Sequence, residues 1–124
     1  MTGQKFISIH QFELLALASE VEVLVQNIVS TWQELKQRTM ASRFGYAIDD
    51  MVEYMVDGFG QEKKEAKIDR FHACLRALEE GFNWTKKAID QQLIQPKLAV
   101  RLQMRLFELL FSMQQLIKET NAEK

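Results

Sequence analysis

Proline, glycine and cysteine are scarce in this sequence, and each scarcity excludes a class of protein. One proline and five glycines are too few for an all-β protein, which needs frequent turns. The lone cysteine, Cys74, cannot form an intramolecular disulfide, which favours the reducing cytoplasm. The longest apolar run, Leu14 to Ala18, is far shorter than the ~20 residues of a membrane-spanning helix. We therefore expect a cytoplasmic protein with no membrane partner.

Residues with catalytic or metal-binding chemistry are equally scarce. His10 and His72 are the only histidines, and neither belongs to the Glu-x-x-His pairs or Cys and His clusters of metal sites. The sequence has no phosphate-binding loop, dinucleotide fingerprint or nucleophile elbow. We predict a non-enzymatic protein with no catalytic residues, no metal and no cofactor. Cys74 is predicted to pack in the core as a small hydrophobe.

Charge is distributed unevenly along the chain, although the net charge is only −1. Residues 1–62 carry four basic and nine acidic side chains, for a charge of −5. Residues 63–124 carry twelve basic and eight acidic ones, for a charge of +4. Such an asymmetry is typical of a two-faced molecule, or of opposite surfaces that attract one another on self-association.

Apolar residues recur every three or four positions in four segments, which is the spacing of amphipathic helices. The predicted helices cover residues 8–37, 39–58, 63–91 and 96–120. Their connections are short, and short connections make sequential helices run antiparallel. We expect a single all-α domain over residues 1–124, folded as an antiparallel up-down-up-down four-helix bundle.

Four local signals mark the predicted helix ends. Ser8 and Gln11 have the spacing of a capping box at the start of the first helix. The hydroxyl residues between Thr39 and Ser42 predict a break before the second helix. Gly58 is predicted to close that helix in the left-handed conformation. Pro96 suits the first turn of the fourth helix, where its missing N–H costs nothing.

Charged residues form stripes of opposite sign on the predicted helices. The candidate nucleic-acid-binding residues are basic and lie on the third and fourth helices: Lys63, Lys64, Lys67, Lys86, Lys87, Lys97, Arg101 and Arg105. The acidic stripe lies on the second helix and comprises Asp49, Glu53 and Asp57. Three interpretations stay open, and the simplest is that the stripes are plain solvated faces. Alternatively, the stripes face one another, within a subunit or between subunits, or the basic stripe binds the phosphates of RNA or DNA.

Aromatic residues occur both at core-like positions and away from the apolar seams. The phenylalanines with core-like spacing are Phe44, Phe71, Phe82, Phe107 and Phe111. Those off the seams, and so candidates for interface anchors, are Tyr46, Tyr54, Phe59 and Trp84. Phe107, Leu110 and Phe111 make the fourth helix apolar on more than one side, which favours burial in a homo-oligomer. These three residues and the acidic stripe form the predicted oligomer interface.

The order of these elements resembles one family of small helical bundles. The residues that carry the resemblance are Ala47-Ile48, Met55-Val-Asp-Gly58-Phe-Gly60, Lys63-Lys64 and Phe71-x4-Arg76-Ala-Leu, and it spans Phe12 to Lys118. The family comprises proteins encoded in intervening sequences of large-subunit ribosomal RNA genes and the accessory variability determinant, Avd, of diversity-generating retroelements. The first branch typically ends its second helix with Ser-Ile-Pro-x-Asn-Ile-Ala-Glu-Gly. Here Asp50 to Gly58 keeps the acidic-Gly ending but lacks the Pro and Asn, which favours the Avd branch.

The resemblance implies a function that the residues alone do not. Proteins of the Avd branch are homopentamers that bind a reverse transcriptase and RNA, or RNA/DNA, while a template repeat is copied into complementary DNA. The expected function is therefore that of a non-enzymatic, oligomeric accessory protein, with the basic residues named above on its nucleic-acid-binding surface. The alternative is a homo-oligomeric scaffold or adaptor that binds no nucleic acid. Salt separates the two, because phosphate binding weakens steeply as salt rises.

Overall fold

The computed structural model describes residues 8–123, apart from the side chain of Lys36, and this part of the chain forms four helices. These are α1 (Ile9–Val29), α2 (Leu35–Gly60), α3 (Lys64–Asp90) and α4 (Pro96–Ala122). Each helix packs against two others, in the cyclic order α1, α2, α3, α4, and α2 with α3 is the most extensive pair. The predicted all-α four-helix bundle is confirmed. Residues 1–7 and 124 of the predicted domain lie outside the described residues.

Contacts between helix ends establish that neighbouring helices run antiparallel. Asp57, near the end of α2, forms an ion pair with Arg70, near the start of α3. The Nζ of Lys64, at the start of α3, donates hydrogen bonds to the main-chain carbonyls of Asn121 and Glu123, at the end of α4. Because carbonyls at a helix end lack partners within the helix and carry partial negative charge, Lys64 stabilises the end of α4.

All four helices contribute to one apolar core. Its largest fully buried side chains are Val21, Val25, Phe44, Ile48, Met51, Met55, Phe71, Leu78, Leu102, Leu106, Leu109 and Met113. Cys74 is also fully buried, as predicted, and its Sγ lies 3.3 Å from the carbonyl oxygen of Met51. Burial raises the pKa of the Cys74 thiol to about 12. The thiol therefore stays protonated at neutral pH and is a poor nucleophile.

The break between the first two helices lies earlier than predicted. The first helix was expected to reach residue 37, but α1 ends at Val29. The expected break at Thr39–Ser42 is wrong, because α2 begins at Leu35 and continues through it. The hydroxyl of Thr39 does not cap a helix but donates back to the carbonyl of Leu35 at 3.2 Å.

Trp32 fixes the position of this break. Its indole is buried, lies against the ring of Phe44, and donates a hydrogen bond from Nε1 to the carbonyl of Leu93 at 3.1 Å. Leu93 belongs to the connection between α3 and α4. The two connections at this end of the bundle are thus joined by a tertiary contact, which overrides the local signal of the hydroxyl residues downstream.

Gly58 has a different role from the one predicted. It was expected to end the second helix in the left-handed conformation, but α2 continues to Gly60 and no described glycine has a positive φ. A Cβ added at Gly58 would lie 2.5 Å from the Cε1 of Phe71. A Cβ at Gly81 would lie 2.8 Å from the Cδ1 of Ile48. Both glycines therefore allow α2 and α3 to approach closely.

The remaining helix-end predictions are confirmed. Ser8 and Gln11 form the capping box at α1, and Pro96 stands in the first turn of α4. The end of α3 adds a feature that was not predicted. Gln92 has a positive φ of 59°, and the amide of Leu93 donates to the carbonyl of Ala88, so α3 ends in a Schellman motif.

Candidate interaction surfaces

The outward face of α4 carries a continuous apolar stripe. Val100, Met104, Phe107 and Phe111 are spaced by four, three and four residues, and each is more than half exposed. The inward face of the same helix carries Leu102, Leu106, Leu109 and Met113, all with 0% exposure. Scattered exposed apolar residues are ordinary, but a row of four large ones on a single helix face is typical of an interaction site.

Phe107 and Phe111 therefore lie outside the core that their spacing predicted. Phe107 is 59% exposed and Phe111 is 63% exposed, whereas Phe44 and Phe71 are fully buried. The reason is that the inward stripe of α4 already fills the space between α1 and α3. The ring of Phe107 lies against that of Phe82 of α3, with centroids 5.0 Å apart. The outer stripe therefore contacts α3 through Phe107. Leu110, the third predicted interface residue on α4, is half-buried against the core.

Val100 and Met104 were missed by sequence reasoning. The prediction followed a single apolar seam along the fourth helix and assigned only Phe107, Leu110 and Phe111 to a second side. The signal was present, because residues 100, 104, 107 and 111 have their own heptad-like spacing, which at ~100° per residue lies nearly half a turn from the core seam.

The predicted basic residues divide between the two ends of the bundle. Lys63, Lys64 and Lys67 lie where α3 begins, whereas Lys86, Lys87, Lys97 and Arg101 lie around the α3–α4 connection. A helix of this length spans ~40 Å, so the two groups do not form one continuous patch. At the first end, Lys64 binds the end of α4, and Lys67 donates to the carbonyl of Phe59 at 3.4 Å.

The group around the α3–α4 connection is the more accessible one. Lys86, Lys87, Lys97 and Arg101 are all exposed. The Nζ of Lys87 lies 4.9 Å above the ring centroid of Trp84, an arrangement that favours the cation. This end of the molecule therefore presents four cationic side chains to solvent.

Arg105 is less available than the sequence implied. Its Nε lies 2.5 Å from a carboxylate oxygen of Glu20 on α1, and its Nη1 lies 2.8 Å from a carboxylate oxygen of Glu108. The hydrogen bond and the charge of Glu20, followed by those of Glu108, raise the pKa of Arg105. A phosphate at this position would have to compete with two carboxylates of the same chain.

The acidic stripe on α2 does not meet the basic stripe on α4 within one chain, because these two helices lie diagonally across the bundle. Asp57 pairs instead with Arg70 at 2.7 Å. Asp49 faces α1 and shares a hydrogen bond with Glu22, and this bond, with burial and the Asp49 charge, raises the pKa of Glu22. Glu53 is exposed. Pairing of the two stripes would therefore require a second copy.

A groove between the start of α2 and the end of α3 was not predicted. It has a volume of about 310 Å³ and is lined by Thr39, Met40, Arg43, Trp84, Lys87 and Gln91. Sequence spacing relates residues of the same helix to one another, but it cannot show that Arg43 of α2 and Trp84 of α3 share a groove.

The four predicted interface anchors differ in exposure. Phe59 is buried against Phe71, Trp84 is half-buried, and Tyr46 and Tyr54 are exposed.

Comparisons with family models, curated proteins and solved structures give no match to this chain. Within residues 8–123, no helix has both the length and the low polarity needed to cross a membrane. In the same part of the chain, no three or more His, Cys, Asp or Glu side chains are grouped so as to hold a metal ion.

Proposed function

We propose that this protein is a non-enzymatic accessory protein that self-associates through α4 and binds nucleic acid together with a reverse transcriptase, as the Avd resemblance implies. The observation that carries self-association is the exposed stripe of Val100, Met104, Phe107 and Phe111, and the reverse-transcriptase part rests on the resemblance. A cytoplasmic location, which the lone cysteine favours, and a pentameric assembly, which the resemblance implies, belong to the same proposal.

Self-association follows from the cost of leaving the stripe in water. Burying apolar surface stabilises a complex by ~25 cal/mol per Å² before the costs of association are subtracted. Charge complementarity supports a second copy as the partner, because the acidic residues of α2 and the basic residues of α4 lie on opposite sides of the bundle. Contact between unlike faces, repeated around a ring, gives a closed cyclic oligomer.

Nucleic-acid binding is assigned to the four exposed cations around the α3–α4 connection, Lys86, Lys87, Lys97 and Arg101. In a ring, each copy would add its own set of four, and the summed positive field would attract phosphates more strongly than a single chain. The opposite group, Lys63, Lys64 and Lys67, would contribute less, because two of its members are engaged with main-chain carbonyls.

The nucleic-acid part is tested by titrating a structured RNA at low and high salt and following fluorescence anisotropy. Charge reversal by Lys97→Glu with Arg101→Glu should weaken binding at least tenfold at low salt and flatten its salt dependence. Lys118→Glu, at an exposed lysine at the far end of α4, is the control matched in charge to Lys97→Glu alone. If both variants bind RNA as the parent does, the site lies elsewhere.

The partner is tested by a pull-down with a reverse transcriptase encoded beside this protein. The proposal predicts capture by the parent and by Phe12→Ser, which alters an exposed phenylalanine of α1. Failure of the parent to capture the enzyme would contradict the reverse-transcriptase part of the proposal.

The second candidate is a homo-oligomeric scaffold or adaptor that binds no nucleic acid. It is favoured by the carboxylates that hold Arg105 and by the carbonyls that hold Lys64, because these contacts use basic groups inside the chain. For a scaffold built on paired charged stripes, high salt should dissociate the oligomer. RNA should then leave its mass unchanged at any salt concentration.

A further inference from the structure

The groove between α2 and α3 is lined by a tryptophan, Trp84, whose indole N–H has no hydrogen-bond acceptor in the described part of the chain. The Nε1–H of Trp84 is shielded from solvent and has no hydrogen-bond partner among the described residues. Trp32, the other tryptophan, donates from the same atom to the carbonyl of Leu93. Buried donors are nearly always paired in native proteins, and each exception calls for an explanation. An acceptor supplied from outside the chain would pair this donor once the side chains that shield Nε1 move aside.

The groove around Trp84 is also cationic. Arg43 lines it from α2 and Lys87 from α3, and no carboxylate is among its lining residues. Neither cation forms an ion pair within the described residues. The amide of Gln91 adds a further donor at the same groove. Positive charge without a counter-charge beside an unpaired donor is the arrangement of an anion site.

The dimensions of the groove favour a small ligand. Its volume of about 310 Å³ is at the lower end of the ~300–1,000 Å³ range of small-molecule sites. The donors come from two helices and so approach from different directions. A tetrahedral phosphate offers three oxygens to such donors, whereas a planar carboxylate offers two.

We propose that this groove binds a phosphate monoester, as carried by a mononucleotide or by the 5′ end of an oligonucleotide. Arg43 and Lys87 supply the positive charge, and Trp84 donates its Nε1–H to a phosphate oxygen. This inference rests on the proposed nucleic-acid binding in one respect, which is the choice of phosphate over other anions as the ligand. It is separate from self-association, because the α2–α3 groove and the outward stripe of α4 share no residue.

The two tryptophans provide the measurement. In a ¹⁵N-correlated spectrum the protein should show two indole N–H signals, and Trp84→Phe assigns them by removing one. Titration with adenosine monophosphate should move the Trp84 signal in a saturable way. The Trp32 signal should stay in place, because its N–H is already bonded to Leu93. Adenosine, which lacks the phosphate, should move neither signal, and inorganic phosphate should move that of Trp84 alone.

Substitutions of the groove residues test whether the nucleotide binds in the groove. Arg43→Gln and Lys87→Gln should each weaken nucleotide binding about tenfold, the usual loss of one charge-assisted hydrogen bond. Trp84→Phe, followed by calorimetry, should lose a similar factor while keeping an aromatic ring in place. Arg38→Gln, an exposed arginine of α2 outside the groove, is the charge-matched control and should change the affinity less than twofold. Thermal unfolding of every variant excludes loss of fold as the cause.

Two comparisons identify the source of the phosphate and the results that would overturn the site. If a short oligonucleotide binds more tightly with a 5′ phosphate than with a 5′ hydroxyl, the ligand is a nucleic-acid end. If the two oligonucleotides bind equally while the mononucleotide binds tightly, the ligand is a free nucleotide. A Trp84 signal unmoved by millimolar phosphate and nucleotide would overturn the proposal. So would an equal response to acetate, or a shift with protein concentration alone, which would assign the groove to a second copy. If the parent protein still binds RNA when the groove binds no phosphate, the proposed function stands although this inference fails.

Discussion

The two apolar stripes of α4 have similar composition and opposite environments. Leu102, Leu106, Leu109 and Met113 are removed from water by the fold of a single chain, whereas Val100, Met104, Phe107 and Phe111 are more than half exposed. Folding accounts for the first stripe completely. The second stripe stays mostly in water after folding, and we propose that it is buried against another molecule. The comparison separates the residues that build the bundle from those that we propose bind a partner.

The largest difference between the stripes should be in stability. Leu106→Ala leaves a cavity in the core and should lower the free energy of unfolding by about 2–5 kcal/mol. Met104→Ala removes a side chain that is 57% exposed and should change it by less than about 0.5 kcal/mol. Urea unfolding at protein concentrations too low for assembly measures both. Equal losses would contradict the distinction between the stripes.

The same comparison of a packed with an unpacked position can be made on α2, which packs against α3. Gly58→Ala would drive a Cβ into the buried ring of Phe71 and should cost about 1–3 kcal/mol of unfolding free energy. Gly45 lies in the same helix, but a Cβ there meets nothing within 4 Å. Gly45→Ala should therefore stabilise the protein by up to about 1 kcal/mol. Destabilisation by both substitutions would refute the role assigned to Gly58.

The end of α3 offers a smaller, stabilising change. Gln92 occupies the left-handed position of a Schellman motif, where glycine is usual. Gln92→Gly should raise the free energy of unfolding by about 0.5–1 kcal/mol, because it removes a strained φ. Gln91→Gly, at a residue with negative φ, is the control and should not stabilise. Thermal unfolding distinguishes the two variants.

The smallest expected effect lies in the carboxyl pair between α1 and α2. Because the pKa of Glu22 is raised in the folded protein, its contribution to stability is present below pH 4.5, its ordinary pKa, and is lost as the pH rises through the folded pKa. At neutral pH the pair is repulsive, so Glu22→Gln should stabilise by at most about 0.5 kcal/mol. The gain should disappear as the pH falls below 4.5. A gain for Glu22→Gln that grows in acid would contradict the sign.

The sequence predicted the bundle because its core obeys helical periodicity. Phe71, Leu78 and Leu106 lie on the seams that define the helices, and the capping box and Pro96 mark two helix starts by local chemistry. The first helix end was misplaced because the apolar spacing does not show the contacts that favour a break there, which are the hydroxyl hydrogen bonds of Ser30 and Thr31 and the tertiary one from Trp32 to Leu93. The role of Gly58 was misassigned because its neighbour, Phe71, comes from another helix.

The candidate sites were predicted less well, for a related reason. Phe107 and Phe111 were identified because one helix carries them both, but periodicity alone could not show whether the core had room for them. The sequence names the basic residues, but their division between two ends of the bundle, and the carboxylates around Arg105, depend on which helices are neighbours. The groove at Trp84 combines residues of α2 and α3, so predicting it would require knowledge of how the two helices are aligned along their length.

The most direct test of the central claim, that the outer stripe of α4 is an assembly surface, is light scattering coupled to size-exclusion chromatography. The parent protein should elute as an oligomer, and Met104→Gln with Phe111→Ser should elute near the monomer mass of 14.5 kDa with unfolding stability retained. Phe12→Ser, at an exposed phenylalanine of α1, should keep the parent's mass. A monomeric parent, or a stripe variant with the parent's mass, would contradict the account.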